Sequence, residues 1–128
     1  MIDPIDQFHH IASDRSLYLP IWDEVAPYEI NDEQRRPASK ADIGRLLAFG
    51  ATTLGSGPAT RLFIHCLSGV SRSTAAALLL WAQAHPEIHA DQLIKALQQI
   101  RPQAWPNSHI LRLGDELLNQ GTSLYDAV

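Results

Sequence analysis

Apolar residues along much of the chain recur at spacings of three and four positions, which is the period of a helix with one buried face. Such helices begin after polar capping residues and end at glycine or proline. The predicted helices are one capped by Ser39, one from Ser71 or Arg72 to about His85, one from about Ala90 to Ile100, and one capped by Asn107 or Ser108 that ends near Gly121. Helical segments therefore account for most of the chain beyond Ser39.

Two shorter apolar runs predict strands. Residues 61–65 are mostly apolar and lie between turn signals, which is typical of a buried strand. In a second run, Leu17, Leu19 and Ile21 share one face. Pro20 lacks a backbone donor, so this run is expected to be an edge strand or the end of a strand. Because strands alternate with helices, the sequence predicts an α/β fold with a small, mostly parallel central sheet flanked by helices.

Length and charge exclude several classes of protein. The chain has 128 residues, which suits a single domain over residues 1–128, with residues 1–16 as a short, atypical N-terminal arm. The longest apolar run, residues 74–84, is too short to cross a bilayer, and the N-terminus lacks the apolar core of a signal peptide. We therefore expect a cytoplasmic protein with no membrane partner. The formal net charge of -4 excludes the general basic surface of a nucleic-acid binder.

The single cysteine, Cys66, excludes an internal disulfide and a multi-thiolate zinc site. It follows the predicted strand, and a five-residue loop containing Gly69 leads from it to a predicted helix that starts near Arg72. Backbone N–H groups of such a loop can form an anion-binding nest at the positive end of the helix dipole. The same field would stabilise a thiolate, and an arginine fork would bind two phosphate oxygens. The arrangement predicts a nucleophilic thiolate beneath a bound phosphate.

The run from His65 to Thr74, HCLSGVSRST, resembles the signature of the cysteine-dependent protein tyrosine phosphatase superfamily, in its compact, dual-specificity-like branch. Downstream, Arg101-Pro102 followed by Pro106-Asn107 is similar to the segment before the last helix of that branch, and upstream, Leu17 to Asp23 is similar to the strand that ends in its general acid. The resemblance covers roughly residues 17–125. It implies a protein phosphatase that needs neither metal nor cofactor, acts on phosphorylated proteins or peptides, and forms a phosphocysteine intermediate.

The resemblance also implies roles for single residues. Cys66 would be the nucleophile, Arg72 would bind the phosphoryl group, and the Ser73 hydroxyl would stabilise the thiolate when it leaves. The backbone N–H groups that would bind the phosphate oxygens belong to Leu67, Ser68, Gly69, Val70 and Ser71, next to Arg72.

The remaining roles fall on residues outside the loop. By the same resemblance, His65 would brace the loop and Asn107 would support it from behind. A proton must reach the leaving group and later leave the attacking water, so a carboxylic acid is required. Asp23 is preferred because it ends the predicted strand and opens a long loop, while Asp32 is the alternative because its distance from Cys66 is closer to the usual one.

Two alternative functions accompany this prediction. The first is a catalytically weak or inactive phosphatase-like domain that binds phosphorylated partners. The second is a phosphatase for small molecules or phosphoinositides, but residues 67–71 contain no lysine for a polyanionic head group, which favours singly phosphorylated substrates. The choice between phosphotyrosine and phosphoserine or phosphothreonine, and the oligomeric state, stay open at this point.

Overall fold

The computed structural model of the chain describes residues 16–21, 23, 36–55, 60–119 and 123–128. Its helices are α1 (Lys40–Leu54), α2 (Arg72–Ala84), α3 (Ala90–Ile100), α4 (Ser108–Leu117) and α5 (Ser123–Ala127). The four longer helices confirm the predictions from apolar spacing, except that α4 ends at Leu117 and not near Gly121. The fifth was not predicted, because five residues carry too little periodicity to indicate a helix. The arm proposed for residues 1–16 lies almost wholly outside the described residues.

The predicted α/β fold is wrong, because the described residues form helices and no β-strand. Residues 61–66 do alternate between exposed and half-buried side chains, as a strand would. Their inward side chains, Leu62 and Ile64, pack against the helical core instead of joining a sheet. Alternating apolar residues indicate that one side of an extended segment is buried. Helices can bury that side without the backbone hydrogen bonds of a β-sheet.

The segment around Pro20 is likewise not an edge strand. Its apolar residues Leu17, Leu19 and Ile21 pack against the same helical core. The Ile21 backbone N–H donates to the Leu19 carbonyl over 2.9 Å, which is a tight local turn. Pro20 has no N–H, so two successive residues offer no donor to a neighbouring strand.

Helix α2 lies at the centre of the packing and contacts α1, α3 and α4, while α5 packs against α3 and α4. Its buried residues include Ala75, Leu78, Leu79, Leu80 and Ala82. Two glycines permit the close approach of its neighbours, because a Cβ at Gly50 would overlap Leu80 and a Cβ at Gly114 would overlap Leu79. No helix in the described part of the chain combines the length and apolarity that a bilayer crossing requires.

The packing at Gly114 predicts opposite effects for two glycine-to-alanine changes. Gly114→Ala should lower the free energy of unfolding by about 1–3 kcal/mol, because the fully buried Leu79 has no space to move. Gly44→Ala, in open space on α1, should raise it by up to about 1 kcal/mol through helix propensity. Urea unfolding of both variants measures these changes. Equal effects of the two substitutions would contradict close α2–α4 packing.

A capping box with an added ion pair fixes the start of α1. The Asp42 backbone N–H donates to the Ser39 hydroxyl, and the Asp42 carboxylate accepts from the Ser39 backbone N–H over 2.8 Å. Arg36 Nη1 lies 2.7 Å from the same carboxylate, which is almost fully buried. The Arg36 hydrogen bond outweighs burial and, together with the bonds from Ser39, lowers the pKa of Asp42 from 3.8 to about 2.

This shift gives a defined pH dependence to the stability of the fold. A carboxyl with a lowered folded-state pKa stabilises the protein above its unfolded pKa, and that contribution is lost as the pH falls from about 4 towards 2. Asp42→Asn should therefore cost about 2 kcal/mol near neutral pH and progressively less in this acidic range. Denaturant midpoints of both proteins across the range test the difference. A gap that stays constant down to the lowest pH would assign the stabilisation to the cap geometry alone.

Candidate active site

The loop between Cys66 and α2 bends at Gly69, whose φ of 68° lies in the left-handed region. The Thr74 hydroxyl, in the first turn of α2, lies 2.6 Å from the Val70 carbonyl and 3.0 Å from that of Ser71. The Ser71 hydroxyl makes no cap bond to the helix and donates instead to Asp23 over 2.5 Å. The loop is thus joined both to the helix it precedes and to a distant carboxylate.

Four consecutive loop carbonyls accept hydrogen bonds from the segment after α3. Arg101 Nη2 donates to the Ser68 carbonyl over 3.2 Å, and Arg101 Nε donates to that of Gly69 over 3.1 Å. The Trp105 backbone N–H donates to the Val70 carbonyl, and that of Asn107 donates to the Ser71 carbonyl. All four carbonyls therefore face the segment formed by residues 101–107.

This carbonyl arrangement fixes the direction of the N–H groups. In a trans peptide, the carbonyl of one residue and the N–H of the next point in opposite directions, and no cis peptide occurs among the described residues. The N–H groups of residues 69–72 consequently face away from the segment 101–107. Successive N–H groups on one side of a loop, at the N-terminus of a helix, form an anion-binding nest.

The Cys66 sulfur lies on this side of the loop. Its Sγ is 3.2 Å from the Ser73 Oγ. Burial raises the pKa of the Cys66 thiol, but hydrogen bonds from the Ser73 hydroxyl and from the backbone N–H groups of Ser73 and Gly69, together with the charge of Arg72, lower it from 9.0 to about 7. A substantial fraction of Cys66 is therefore a thiolate near neutral pH.

The Arg72 guanidinium is held at one end and lacks a partner at another atom. Its Nη1 donates to the Ile21 carbonyl over 3.1 Å, which joins the loop to the segment 16–21. Its Nε is buried and has no hydrogen-bond partner within the described structure. A buried donor without a partner is costly, and such groups are satisfied in proteins by water, ions or ligands.

The structure brings Asp23 to the edge of the loop. Its Oδ1 accepts from the Ser71 hydroxyl and, over 2.7 Å, from the Asn107 Nδ2. The Asn107 Oδ1 in turn accepts from the Ile110 N–H and caps α4. Asn107 thus links the carboxylate, the loop and α4, whereas Asp32 lies outside the described residues.

His65 is placed differently from the other predicted site residues. Its side chain is exposed while that of Cys66 is half-buried, which is the alternation of side chains along an extended chain. The His65 ring centroid lies 5.5 Å from that of Phe63. The bracing role of His65 stays a prediction. The loop residues Leu67 and Ser68 are exposed, and Gly69, Val70 and Ser71 are half-buried.

Arg101 is the functional candidate to which sequence reasoning gave no role. It belongs to the Arg-Pro motif, but its partners are 32 and 33 positions away along the chain. The signal in the sequence was an arginine at the point where a predicted helix ends before proline. Its guanidinium donates to two loop carbonyls and so holds the loop.

Within the described part of the chain, His, Cys, Asp and Glu side chains do not converge in a group that could hold a metal ion. Comparisons of the chain with protein-family models, with curated proteins and with solved structures found no match. The residues and geometry of the loop are therefore the features of this chain that point to a function.

The Ser73 hydroxyl predicts how the reactivity of the thiol depends on pH. Alkylation of Cys66 by iodoacetamide, followed by mass spectrometry, should rise with a midpoint near pH 7. Ser73→Ala removes a hydrogen bond to the thiolate, so the midpoint should move up towards 9.0. Ser73→Thr keeps a hydroxyl and serves as the matched control. An unmoved midpoint in the alanine variant would assign the activation to the backbone and Arg72 alone.

Proposed function

We propose that the protein is a protein tyrosine phosphatase that hydrolyses phosphate monoesters, above all phosphotyrosine in proteins, through a phosphocysteine intermediate. The observation that carries this proposal is the Cys66 thiol, with its pKa lowered to about 7, on the N–H side of a loop in which the carbonyls of residues 68–71 are turned away. A dianionic phosphate fits this cup because the N–H groups, the helix dipole and Arg72 are all electropositive.

Arg72 supports the proposal through its unpartnered Nε. A phosphoryl oxygen would satisfy this donor and would receive a charge-assisted hydrogen bond. Nη1 is held by the Ile21 carbonyl, so the guanidinium plane is set before the substrate arrives. An arginine positioned in this way stabilises the charge that develops on the transferring phosphoryl group.

In the first step the Cys66 thiolate attacks phosphorus, an S–P bond forms and the P–O bond to the leaving group breaks. The leaving oxygen takes a proton from Asp23, whose Oδ1 is oriented by Ser71 and Asn107. In the second step water attacks phosphorus and gives a proton to the Asp23 carboxylate. The S–P bond breaks, inorganic phosphate is released, and the departing thiolate is stabilised by the Ser73 hydroxyl.

Two substitutions test the two chemical roles. Cys66→Ser should abolish turnover of p-nitrophenyl phosphate, because a serine hydroxyl at this site is not ionised near neutral pH. Asp23→Ala should lower kcat by about 100-fold or more and flatten the alkaline limb of the pH–rate profile.

Glu87→Gln, an exposed change in the middle of the segment between α2 and α3, is the control for both variants. Full turnover by the Cys66→Ser protein would contradict the proposed function. An unchanged pH profile in the Asp23→Ala protein would transfer the proton role to another carboxylate, and Asp32→Ala would then be examined in the same assay.

A further inference from the structure

The peptide unit between Ser68 and Gly69 connects the two sides of the loop. Its carbonyl accepts a hydrogen bond from Arg101 Nη2 over 3.2 Å, and its N–H, that of Gly69, donates to the Cys66 sulfur. In the next peptide unit, the Gly69 carbonyl accepts from Arg101 Nε over 3.1 Å, so the Val70 N–H faces away from the arginine. One guanidinium therefore bonds to both peptide units at the bend of the loop.

The guanidinium of Arg101 lies directly against this bend. A Cβ added to Gly69 would lie 3.6 Å from Arg101 Nη2 and 4.0 Å from Cζ, which is close contact without overlap. Two successive carbonyls are thus within reach of one planar fork of donors. A lysine ammonium has no such fork, because it is a compact donor at the end of a flexible stem.

The helical core holds the backbone of Arg101 in place. Its N–H donates to the Leu97 carbonyl at the end of α3 over 2.8 Å, and its own carbonyl accepts from the Ala104 N–H over 2.9 Å. Leu97 is buried, and α3 packs against α2 and α5. The guanidinium therefore extends to the loop from a backbone that is fixed at the end of a packed helix.

A cation bonded to a peptide carbonyl affects the N–H of the same peptide unit in two ways. It fixes the direction of that N–H, because the peptide is planar, and it makes the N–H a stronger donor, because linked hydrogen bonds polarise one another. Arginine keeps its charge at every pH that the protein meets. The Gly69 N–H is thus both directed and polarised by Arg101 while it donates to the Cys66 sulfur.

We propose that Arg101 is a positioning residue, which acts through the Ser68 and Gly69 carbonyls to direct two N–H groups towards the Cys66 sulfur and the phosphoryl oxygens. The part that concerns phosphoryl oxygens rests on the proposed function, whereas the part that concerns the sulfur does not. The bond to Ser68 is exposed to solvent, so the expected effect on the thiol is moderate.

Arg101→Met tests the proposal, because it removes both donors and keeps most of the length of the side chain. The pH midpoint of Cys66 alkylation by iodoacetamide should rise by about half to one pH unit, because the thiolate loses an aligned donor. At about pH 6, where the thiol is mostly protonated, inorganic phosphate should protect Cys66 with a Kd about 10-fold weaker than in the wild type. Arg45→Met, at an exposed position on α1, is the matched control and should leave both values unchanged.

Arg101→Lys separates geometry from charge. Lysine keeps the positive charge and cannot bond to both carbonyls through a planar fork, so its two values should lie between those of the wild type and Arg101→Met, or equal the latter. Urea unfolding of each variant shows whether the fold is retained. If the methionine variant does not fold, the lysine variant decides alone.

Wild-type values of the alkylation midpoint and of the phosphate Kd in either folded variant would overturn the positioning role. A lowered urea midpoint alone would then leave Arg101 with a purely structural role. Failure of the proposed function is seen separately, in the turnover of p-nitrophenyl phosphate by the wild-type protein. If that turnover is absent, the phosphatase proposal fails, and the alkylation midpoints, which need no turnover, still decide the role of Arg101.

Discussion

The candidate active site depends on one constraint. Four consecutive carbonyls in the loop after Cys66 are held by hydrogen bonds to the segment 101–107. The Arg101 side chain and the backbone N–H groups of residues 105 and 107 donate hydrogen bonds to these carbonyls. Because the peptides are planar and trans, the N–H groups of the same peptide units point away from the segment 101–107. Hydrogen bonds to the carbonyls on one side of the loop therefore determine that the N–H groups lie on the other side. Neither the thiolate nor a bound anion has to organise the loop, because the loop is already organised by the segment that follows α3.

The helical core makes this constraint possible. Helix α2 is buried between its neighbours, and glycines at the crossing points let α1 and α4 come close to it. The first turn of α2 is consequently fixed relative to α4, whose capping residue Asn107 bonds to the loop and to Asp23. Packing and polar contacts thus cooperate, since the apolar side of α2 positions the helix and its N-terminus carries the chemistry.

The four long helices and the bend at Gly69 could be predicted because they follow from local spacing and local backbone preference. The sheet was wrongly predicted because alternating burial looks the same whether a strand or a helical core supplies the contact. The role of Arg101 was beyond sequence reasoning for another reason. Its contacts join residues 32 and 33 positions apart, and only the packed helices decide which distant groups meet.

The wide separation of these partners has a consequence for the order in which the protein acquires its chemistry. The contacts around the loop reach back to Ile21 and Asp23 and forward to Asn107, over as many as 84 positions. During synthesis Cys66 joins the chain before Arg101, Trp105 and Asn107, the residues that turn the carbonyls outward. The nascent thiol keeps the high pKa of an ordinary cysteine and is mostly protonated, which protects it from oxidants and alkylating agents. Nucleophilicity is in this sense a late product of folding, and any local opening that frees the segment after α3 returns the thiol to its unreactive form.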